Sequence, residues 1–294
     1  MHFIQNKTTL ILKQTFKSYI KGKPKFKNIL YKKDGYKSVI TINREKKLNC
    51  LDLTTINELT LAFKQSAWDD EISVIILTGA GKRAFSTGAD LDEQQEYFLG
   101  NPNDYYKWMY EFIQLHEVMR NVGKPTIARL NGMTVGGGNE MNMSCDLAIA
   151  ADHVIIRQVG AARGSVAAAG ATQFLPLLVG DRRAREILFL CEEIPAQKAL
   201  EWGLINQVVP FDKLDEAVDI LAEKLHNKLP ECLRYAKQQL NFWRDLSWHT
   251  TIGHARDWLS IHNLSGEVKE GISSFNKKKK IDYNKVRKSN VKSK

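Results

Sequence analysis

Cysteine pairs, long apolar runs and nucleotide-binding glycine motifs are all missing from this 294-residue sequence. Its four cysteines lie 95, 46 and 41 residues apart and form no CxxC pair, which disfavours a zinc cluster or a disulfide framework. No run approaches the roughly 18 apolar residues that a membrane-spanning helix needs. Neither GxGxxG nor GKS/T occurs, which disfavours a nucleotide-binding loop. The cysteines, Cys50, Cys145, Cys191 and Cys232, are typical of buried, reduced thiols in an intracellular protein.

Acidic residues are missing from the first 33 positions and are represented only by Asp282 among residues 277–294, although each of these ends holds nine basic residues. The ends therefore carry +9 and +8, and since the whole chain carries +10, residues 34–276 carry −7. A mildly acidic body does not favour nucleic-acid binding by the whole protein. The basic N-terminal extension, residues 1–27, fits a mitochondrial transit peptide or the Lys-rich start of a cytoplasmic protein. We expect a cytoplasmic protein, because transit peptides favour Arg and this segment has none.

The order of predicted elements indicates an α/β fold with mostly parallel strands, followed by a helical C-terminal region. Strands are predicted from alternating or continuous apolar residues, and helices from apolar residues at helical spacing. The predicted strands are Ser38–Arg44, Ser73–Leu77, Pro125–Leu130, Asp146–Ala151 and Val154–Gln158. The predicted helices are Asp52–Ala67, Asp104–Val122, Gly136–Cys145 (after a turn), Arg182–Cys191, Ala196–Trp202, Leu214–Leu229 and Glu231–Asp245.

Two glycine-containing segments follow predicted strands and offer backbone N–H groups to a ligand. Residues 83–91 read RAFSTGADL, and residues 131–140 read NGMTVGGGNE. A run of three glycines at a strand-to-helix junction permits close approach by a ligand. If Gly137 begins a helix, its N–H points outward with the positive end of the helix dipole behind it, which suits a developing oxyanion. Taken alone, the triple glycine also fits a tight turn.

Together with other motifs, the two segments resemble the crotonase superfamily of enoyl-CoA hydratases and isomerases. The matching motifs are Phe85–Leu91 (FSTGADL), Gly136–Glu140 (GGGNE), Cys145-Asp146 and Ala196–Val209, within a match over about residues 28–285. The resemblance implies a crotonase-like spiral of ββα turns that forms a homotrimer or hexamer and needs no metal or redox cofactor. It also implies an acyl-CoA-binding core at residues 28–210, a helical region at 211–276 and a basic tail at 277–294.

The resemblance further implies which residues bind the substrate. The backbone N–H groups of Ala89 and Gly137, beside Gly88 and Gly136, would hold the thioester oxygen of an acyl-CoA, and Glu140 would be the acid–base group. CoA phosphates need cations. The positions that match the family's CoA-binding residues are Arg44, Lys46, Lys47, Phe275 and Lys280.

A second glutamate, which family hydratases use to activate water, is missing. Its position falls on Gly160, and glycine cannot transfer a proton. The stretch Gln158–Pro176 instead resembles 6-oxocyclohex-1-ene-1-carbonyl-CoA hydrolases and 2-ketocyclohexanecarbonyl-CoA hydrolases. Within it, Ser165 is a candidate to hydrogen-bond a substrate carbonyl or a water, or else to satisfy the turn, and Arg163 is a candidate to contact substrate or CoA, or else is structural. We therefore expect an acyl-CoA enzyme that hydrolyses a carbon–carbon bond in a cyclic oxo-acyl-CoA.

Three alternatives stay open at this point: an enoyl-CoA hydratase or isomerase that uses Glu140 alone, an RNA-binding relative, and a non-catalytic relative. RNA binding is the less favoured, because the lysines lie at the termini rather than on one face of a helix. Asp90 is expected to anchor its turn, and His116 is expected in the core. The remaining candidates, Tyr105, Tyr106 and Trp108, are predicted to be core residues or to cover the acyl group.

Overall fold

The computed structural model describes residues 25–292. Most of the predicted extension, and with it the targeting alternative, lies outside these residues, as do the last two residues of the basic tail. The strands are β1 (Ile29–Asp34), β2 (Lys37–Ile42), β3 (Val74–Gly79), β4 (Ala84–Ser86), β5 (Thr126–Leu130), β6 (Met133–Val135), β7 (Leu147–Ala151), β8 (Ile155–Arg157), β9 (Ile194–Pro195) and β10 (Gln207–Val209). The principal helices are α1 (Leu53–Trp68), α2 (Pro102–Asn121), α3 (Gly137–Ser144), α4 (Ala171–Val179), α5 (Asp181–Leu190), α6 (Ala196–Glu201), α7 (Leu214–His226), α8 (Pro230–His262), α9 (Gly266–Asn276) and α10 (Tyr283–Lys292).

The strands form two sheets. One has the order β1-β2-β3-β5-β7-β10 and the other the order β4-β6-β8-β9. Within the described residues, the pairs β1–β2 and β8–β9 are antiparallel, and the other pairs are parallel. The predicted α/β organisation with mostly parallel strands is confirmed.

The buried centre of the larger sheet explains why the sequence signals were clear there. Every residue of β3 is buried, and parallel strands that are covered on both faces have continuous apolar runs. Helix α1 covers the sheet with Ile56, Leu59 and Phe63, which recur at helical spacing and are buried. Its N-terminus is capped by Asp52, whose carboxylate accepts a hydrogen bond of 2.7 Å from the Thr55 N–H.

The C-terminal region is helical as predicted, but helix α8 is longer than expected. It continues beyond Asp245 to His262 and runs through Gly253. Burial of Trp248 and Leu259 outweighs the helix propensity lost at one glycine. The expectation of four buried thiols is wrong for Cys232, which is exposed on α8, and right for the other three cysteines.

Candidate active site

The triple glycine lies directly against the segment that contains Gly88. Gly136 has φ +55° and ψ −120°, a conformation that side chains strongly disfavour, and α3 begins at the next residue. A Cβ on Gly138 would lie 2.1 Å from the carbonyl oxygen of Ser86, and a Cβ on Gly88 would lie 2.8 Å from the amide nitrogen of Gly137. Glycine at these positions therefore lets the two segments touch.

Two backbone donors are left unpaired where these segments meet. The N–H groups of Ala89 and Gly137 donate to no acceptor within residues 25–292. On either side of Ala89, the Leu51 N–H donates to Gly88 at 2.8 Å and the Asp90 N–H donates to Leu51 at 2.9 Å. Gly137 is the first residue of α3, where an N–H has no intrahelical acceptor. Two free N–H groups in one site can hold a single developing oxyanion.

Both donors line one cavity of about 540 Å³, called here the glycine-lined cavity. It is large enough for a small organic group, and its wall is mostly apolar with a few polar groups, as in typical ligand sites. Ten of the twelve predicted site residues line it: Lys46, Lys47, Gly88, Ala89, Gly136, Gly137, Glu140, Arg163, Ser165 and Phe275. Arg44 and Lys280 do not.

Glu140 lies on α3, one turn beyond the free N–H of Gly137, and is 4% exposed. Its Oε1 has no hydrogen-bond partner among the described residues. Burial raises the pKa of Glu140 to about 7, although the backbone N–H groups of Ala171 and Ala169 partly favour the charged form. A carboxyl group with this pKa can both accept and return a proton near neutral pH.

The other carboxylates that line the cavity are paired with cations. Asp90 accepts a hydrogen bond of 2.8 Å from Arg44, Asp92 pairs with Lys47, and Glu193 lies 3.8 Å from Arg157. Asp90 also accepts from the N–H groups of the residues that follow it and so anchors its turn, as expected. Within residues 25–292, Glu140 is thus the lining carboxylate that has no cationic partner.

The turn at Gly160 is built for a residue without a side chain. Its carbonyl oxygen accepts hydrogen bonds of 2.9 Å from the N–H groups of both Arg163 and Ser165. A Cβ on Gly160 would lie 2.8 Å from the carbonyl oxygen of Ser165. The Ser165 hydroxyl itself makes no hydrogen bond with the described residues, so it is available to the cavity. The Arg163 guanidinium lies over the ring of Phe275, 5.0 Å from its centroid, which joins the turn to α9.

The predicted CoA-binding cations occupy different positions. The Arg44 guanidinium lies 3.1 Å from Asp52 and 2.8 Å from Asp90, so it holds the segment that contains Ala89 rather than lining the cavity. Lys46 lines the cavity, is exposed and makes no ion pair with the described residues. Lys280 is exposed and lies outside the lining. A contact of these residues with CoA stays a prediction.

An aromatic wall on α2 faces the glycines. Tyr105, Trp108, Met109 and Phe112 line the cavity and recur at i, i+3, i+4 and i+7, the spacing of one helix face. Phe112 lies directly beside Gly137, since its Cζ would be 2.9 Å from a Cβ on that residue. The helical spacing was visible in the sequence and could have identified Met109 and Phe112. Leu259 of α8 also lines the cavity, but α8 was predicted to end before it.

Two neighbouring residues on α2 do not belong to this wall. Tyr106 lines a separate open groove, and its ring packs on Arg256 at 4.4 Å. His116 is fully buried, as expected for a core residue, and burial lowers its pKa to about 4, which keeps the imidazole neutral.

Neither a metal site nor a membrane span stands out in the part of the chain that the structure describes. Residues 25–292 contain no group of three His, Cys, Asp or Glu side chains placed to hold a metal ion. None of the helices described is long and apolar enough to cross a membrane.

Comparisons with known proteins agree on one family. A family model described as enoyl-CoA hydratase/isomerase matches residues 36–286. A 6-oxocyclohex-1-ene-1-carbonyl-CoA hydrolase of Geobacter metallireducens is 30% identical over 307 aligned positions, which cover 86% of this chain and 80% of that protein. An enoyl-CoA hydratase structure from Bacillus anthracis is 31% identical with a TM-score of 0.71 and covers 86% of this chain and 97% of its own. One from Mycobacterium avium subsp. paratuberculosis, at 24% identity, covers 88% and 99% with a TM-score of 0.80, which confirms the predicted fold.

Proposed function

This chain belongs to the enoyl-CoA hydratase/isomerase family and is an acyl-CoA enzyme of that family, and from this premise we propose that it opens the ring of a cyclic oxo-acyl-CoA by hydrolysing a carbon–carbon bond. One observation carries the proposal. The glycine-lined cavity combines two free N–H donors with one unpaired carboxylate, and a glycine turn lies at the position where the resemblance to family hydratases would place a second carboxylate. The similarity to a hydrolase of a cyclic oxo-acyl-CoA supports it.

The proposed reaction uses a single carboxylate twice. Glu140 takes a proton from water, and the resulting hydroxide adds to the ring carbonyl carbon that is β to the thioester. The bond between this carbon and the α-carbon then breaks, its electron pair moves into the thioester as an enolate, and the former ring carbonyl becomes a carboxylic acid. The N–H groups of Ala89 and Gly137 stabilise the enolate oxygen. Protonated Glu140 returns its proton to the α-carbon, which completes the addition of one water.

A pKa near 7 suits this double role, because both protonation states of Glu140 are then populated at neutral pH. The free Ser165 hydroxyl can hold the attacking water or the ring oxygen. Lys46, Lys47 and Arg163 supply positive charge in the cavity wall for CoA phosphates. Phe275 carries Arg163 on its ring, and Lys280 follows it in the adjoining basic segment.

Hydration of a linear enoyl-CoA, with Glu140 as sole acid and base, is the second candidate. The 31% identity to an enoyl-CoA hydratase supports it. The two reactions separate cleanly with two substrates. 2-Oxocyclohexane-1-carbonyl-CoA has no carbon–carbon double bond, so gain of one water by the acyl group reports ring opening. Crotonyl-CoA has no ring, so gain of one water reports hydration.

Mass spectrometry of both reactions, with the Glu140→Gln variant as control, tests the proposal. We expect the cyclic compound to gain water and to acquire a new carboxylate, with crotonyl-CoA the poorer substrate. Rapid hydration of crotonyl-CoA, with the cyclic compound unchanged, would establish the hydratase instead.

We also propose that the enzyme is a homotrimer or hexamer. Helix α8 leaves more than half of Leu240, Phe242, Trp243 and Ile261 exposed, and large exposed apolar side chains of this kind are typical of surfaces that contact another subunit. Light scattering coupled to gel filtration should give three or six times the 33.5 kDa chain mass. A monomeric mass would contradict the proposal.

A further inference from the structure

Tyr105 presents a hydroxyl without a partner to the glycine-lined cavity. Its ring is half-buried against the core and stacks on Trp108, with ring centroids 6.0 Å apart, and Trp108 in turn stacks on Phe112 at 5.2 Å. The ring is therefore held by packing. The hydroxyl makes no hydrogen bond with any residue in 25–292. The hydroxyl is open to the cavity, where water or a ligand can accept its hydrogen bond.

The same hydroxyl is a permanent donor on a residue that lines the cavity together with Glu140. Burial and the negative charge of Glu140 raise the pKa of Tyr105, so the phenol keeps its proton throughout the physiological range. Both residues line the glycine-lined cavity, Tyr105 from α2 and Glu140 from α3. A group that donates reliably but does not ionise can recognise an oxygen atom of the substrate.

The cavity needs such a donor once the thioester is bound. The N–H groups of Ala89 and Gly137 are then used by the thioester oxygen, and Glu140, when ionised, can only accept. An oxygen on the third carbon of the acyl chain would be buried and would need its own donor. Tyr105 on the α2 wall and Ser165 on the Gly160 turn are the hydroxyl groups that line the cavity without a partner among the described residues.

We propose that the Tyr105 hydroxyl donates a hydrogen bond to an oxygen on the third acyl carbon and thereby selects β-oxygenated acyl-CoA substrates. This oxygen is the ring oxo group in the proposed hydrolysis. The proposal rests on the proposed function only in taking an acyl-CoA as the ligand, because a β-oxygen occurs in both ring opening and hydration.

Binding of two CoA thioesters that differ only at the third carbon tests the proposal. Dissociation constants for 3-oxobutyryl-CoA and butyryl-CoA are measured by calorimetry, and the ligands are checked by mass spectrometry after each titration. The preference for the oxygenated ligand should be about tenfold smaller in Tyr105→Phe than in the wild type, the effect of one buried hydrogen bond. Affinity for butyryl-CoA should change little, which also shows that the variant is folded.

Tyr106→Phe is the matched control, since this neighbouring tyrosine lies outside the cavity against Arg256. It should keep the wild-type preference. An unchanged preference in Tyr105→Phe would overturn the proposal, and so would a preference that disappears in Ser165→Ala alone. A wild type that shows the Tyr105-dependent preference but never opens a ring would refute the proposed function and leave this inference standing. Ring opening by a wild type whose preference does not depend on Tyr105 would support the proposed function and refute this inference.

Discussion

Replacing Gly137 by Pro isolates the contribution of one backbone donor. Gly137 begins α3, and proline is tolerated at the first helical position because the N–H there has no intrahelical acceptor. The substitution therefore removes the donor without breaking a helix hydrogen bond. It also adds a Cβ, which would lie 2.9 Å from Cζ of Phe112, so the phenyl ring must shift. Gly137→Ala adds the same Cβ and keeps the N–H, which makes it the matched control.

The expected loss of activity follows from the role of a single oxyanion donor. Removing one such donor costs on the order of 10²–10³ in kcat, or about 3–4 kcal/mol of transition-state stabilisation. The alanine variant loses only what the displacement of Phe112 costs. We therefore expect the proline variant to turn over at least about 10² times more slowly than the alanine variant, with a smaller change in KM. The assay is the initial rate on the substrate that gains water, with circular dichroism to compare the folded states.

Equal turnover by the proline and alanine variants, both folded, would refute the assignment of the Gly137 N–H. If the proline variant does not fold, combining it with Phe112→Leu relieves the contact with the ring. The comparison is then made between the proline and alanine variants in the Phe112→Leu background. A loss shared by both would point to the packing of residue 112 and not to the donor.

Three further predictions concern Glu140 and the ends of the chain. Glu140→Gln should lower kcat by about 10²-fold or more and keep acyl-CoA affinity within a few-fold of the wild type. Wild-type kcat/KM should rise as the pH passes through about 7, and this rise should be absent in the variant. A variant that keeps the rise would exclude Glu140 as the base. In the native protein the pKa of Glu140 is about 7, whereas its ordinary value is 4.5. Between these two pH values the native state holds a proton that the unfolded state has released, so the free energy of unfolding falls as the pH rises from 4.5 to about 7. In denaturant unfolding at pH 8, Glu140→Gln should therefore be more stable than the wild type by about 3 kcal/mol, and at pH 4.5 it should show no such gain. Equal stability of the two proteins at both pH values would contradict the raised pKa. Deleting residues from Phe275 onward should raise KM about tenfold, because Arg163 loses the ring beneath it. Deleting residues 1–24 should leave kcat/KM within a few-fold of the full chain. Equal losses from the two deletions would contradict the different roles expected for the two ends.

Local signals explain what the sequence could predict. The apolar run of β3, the Asp52 cap of α1 and the triple glycine each depend on a few neighbouring residues. Glycine at positions 88 and 138 indicates a contact between segments that are distant in the sequence, because only a residue without a side chain fits there. The resemblance to the crotonase superfamily implied that Ala89 meets Gly137, and these glycines explain why the two segments can touch.

Long-range packing explains what the sequence could not predict. Tyr105 and Tyr106 are adjacent aromatic residues, and only the position of α2 against α3 decides that the first lines the cavity with Glu140 and the second does not. Arg44 matched a CoA-binding position, yet its guanidinium is held between Asp52 and Asp90. The spacing of residues along the sequence does not predict such pairings, since they depend on which side chains the fold brings together.

The missing second carboxylate is a property of a whole turn and not of one residue. Gly160 binds the N–H groups of Arg163 and Ser165 through its carbonyl oxygen, and Gly164 lies so close to α9 that a Cβ there would be 2.3 Å from the Glu267 carbonyl oxygen. From the other side, a Cβ on Gly271 would be 2.1 Å from the Arg163 carbonyl oxygen. Placing a glutamate at position 160 would therefore force its Cβ against the Ser165 carbonyl oxygen and disturb the packing of α9. Loss of activity in such a variant would report backbone strain and not the chemistry of the added carboxylate. Changing the substrate, with a ring or with a double bond, leaves this turn intact and tests the reaction directly.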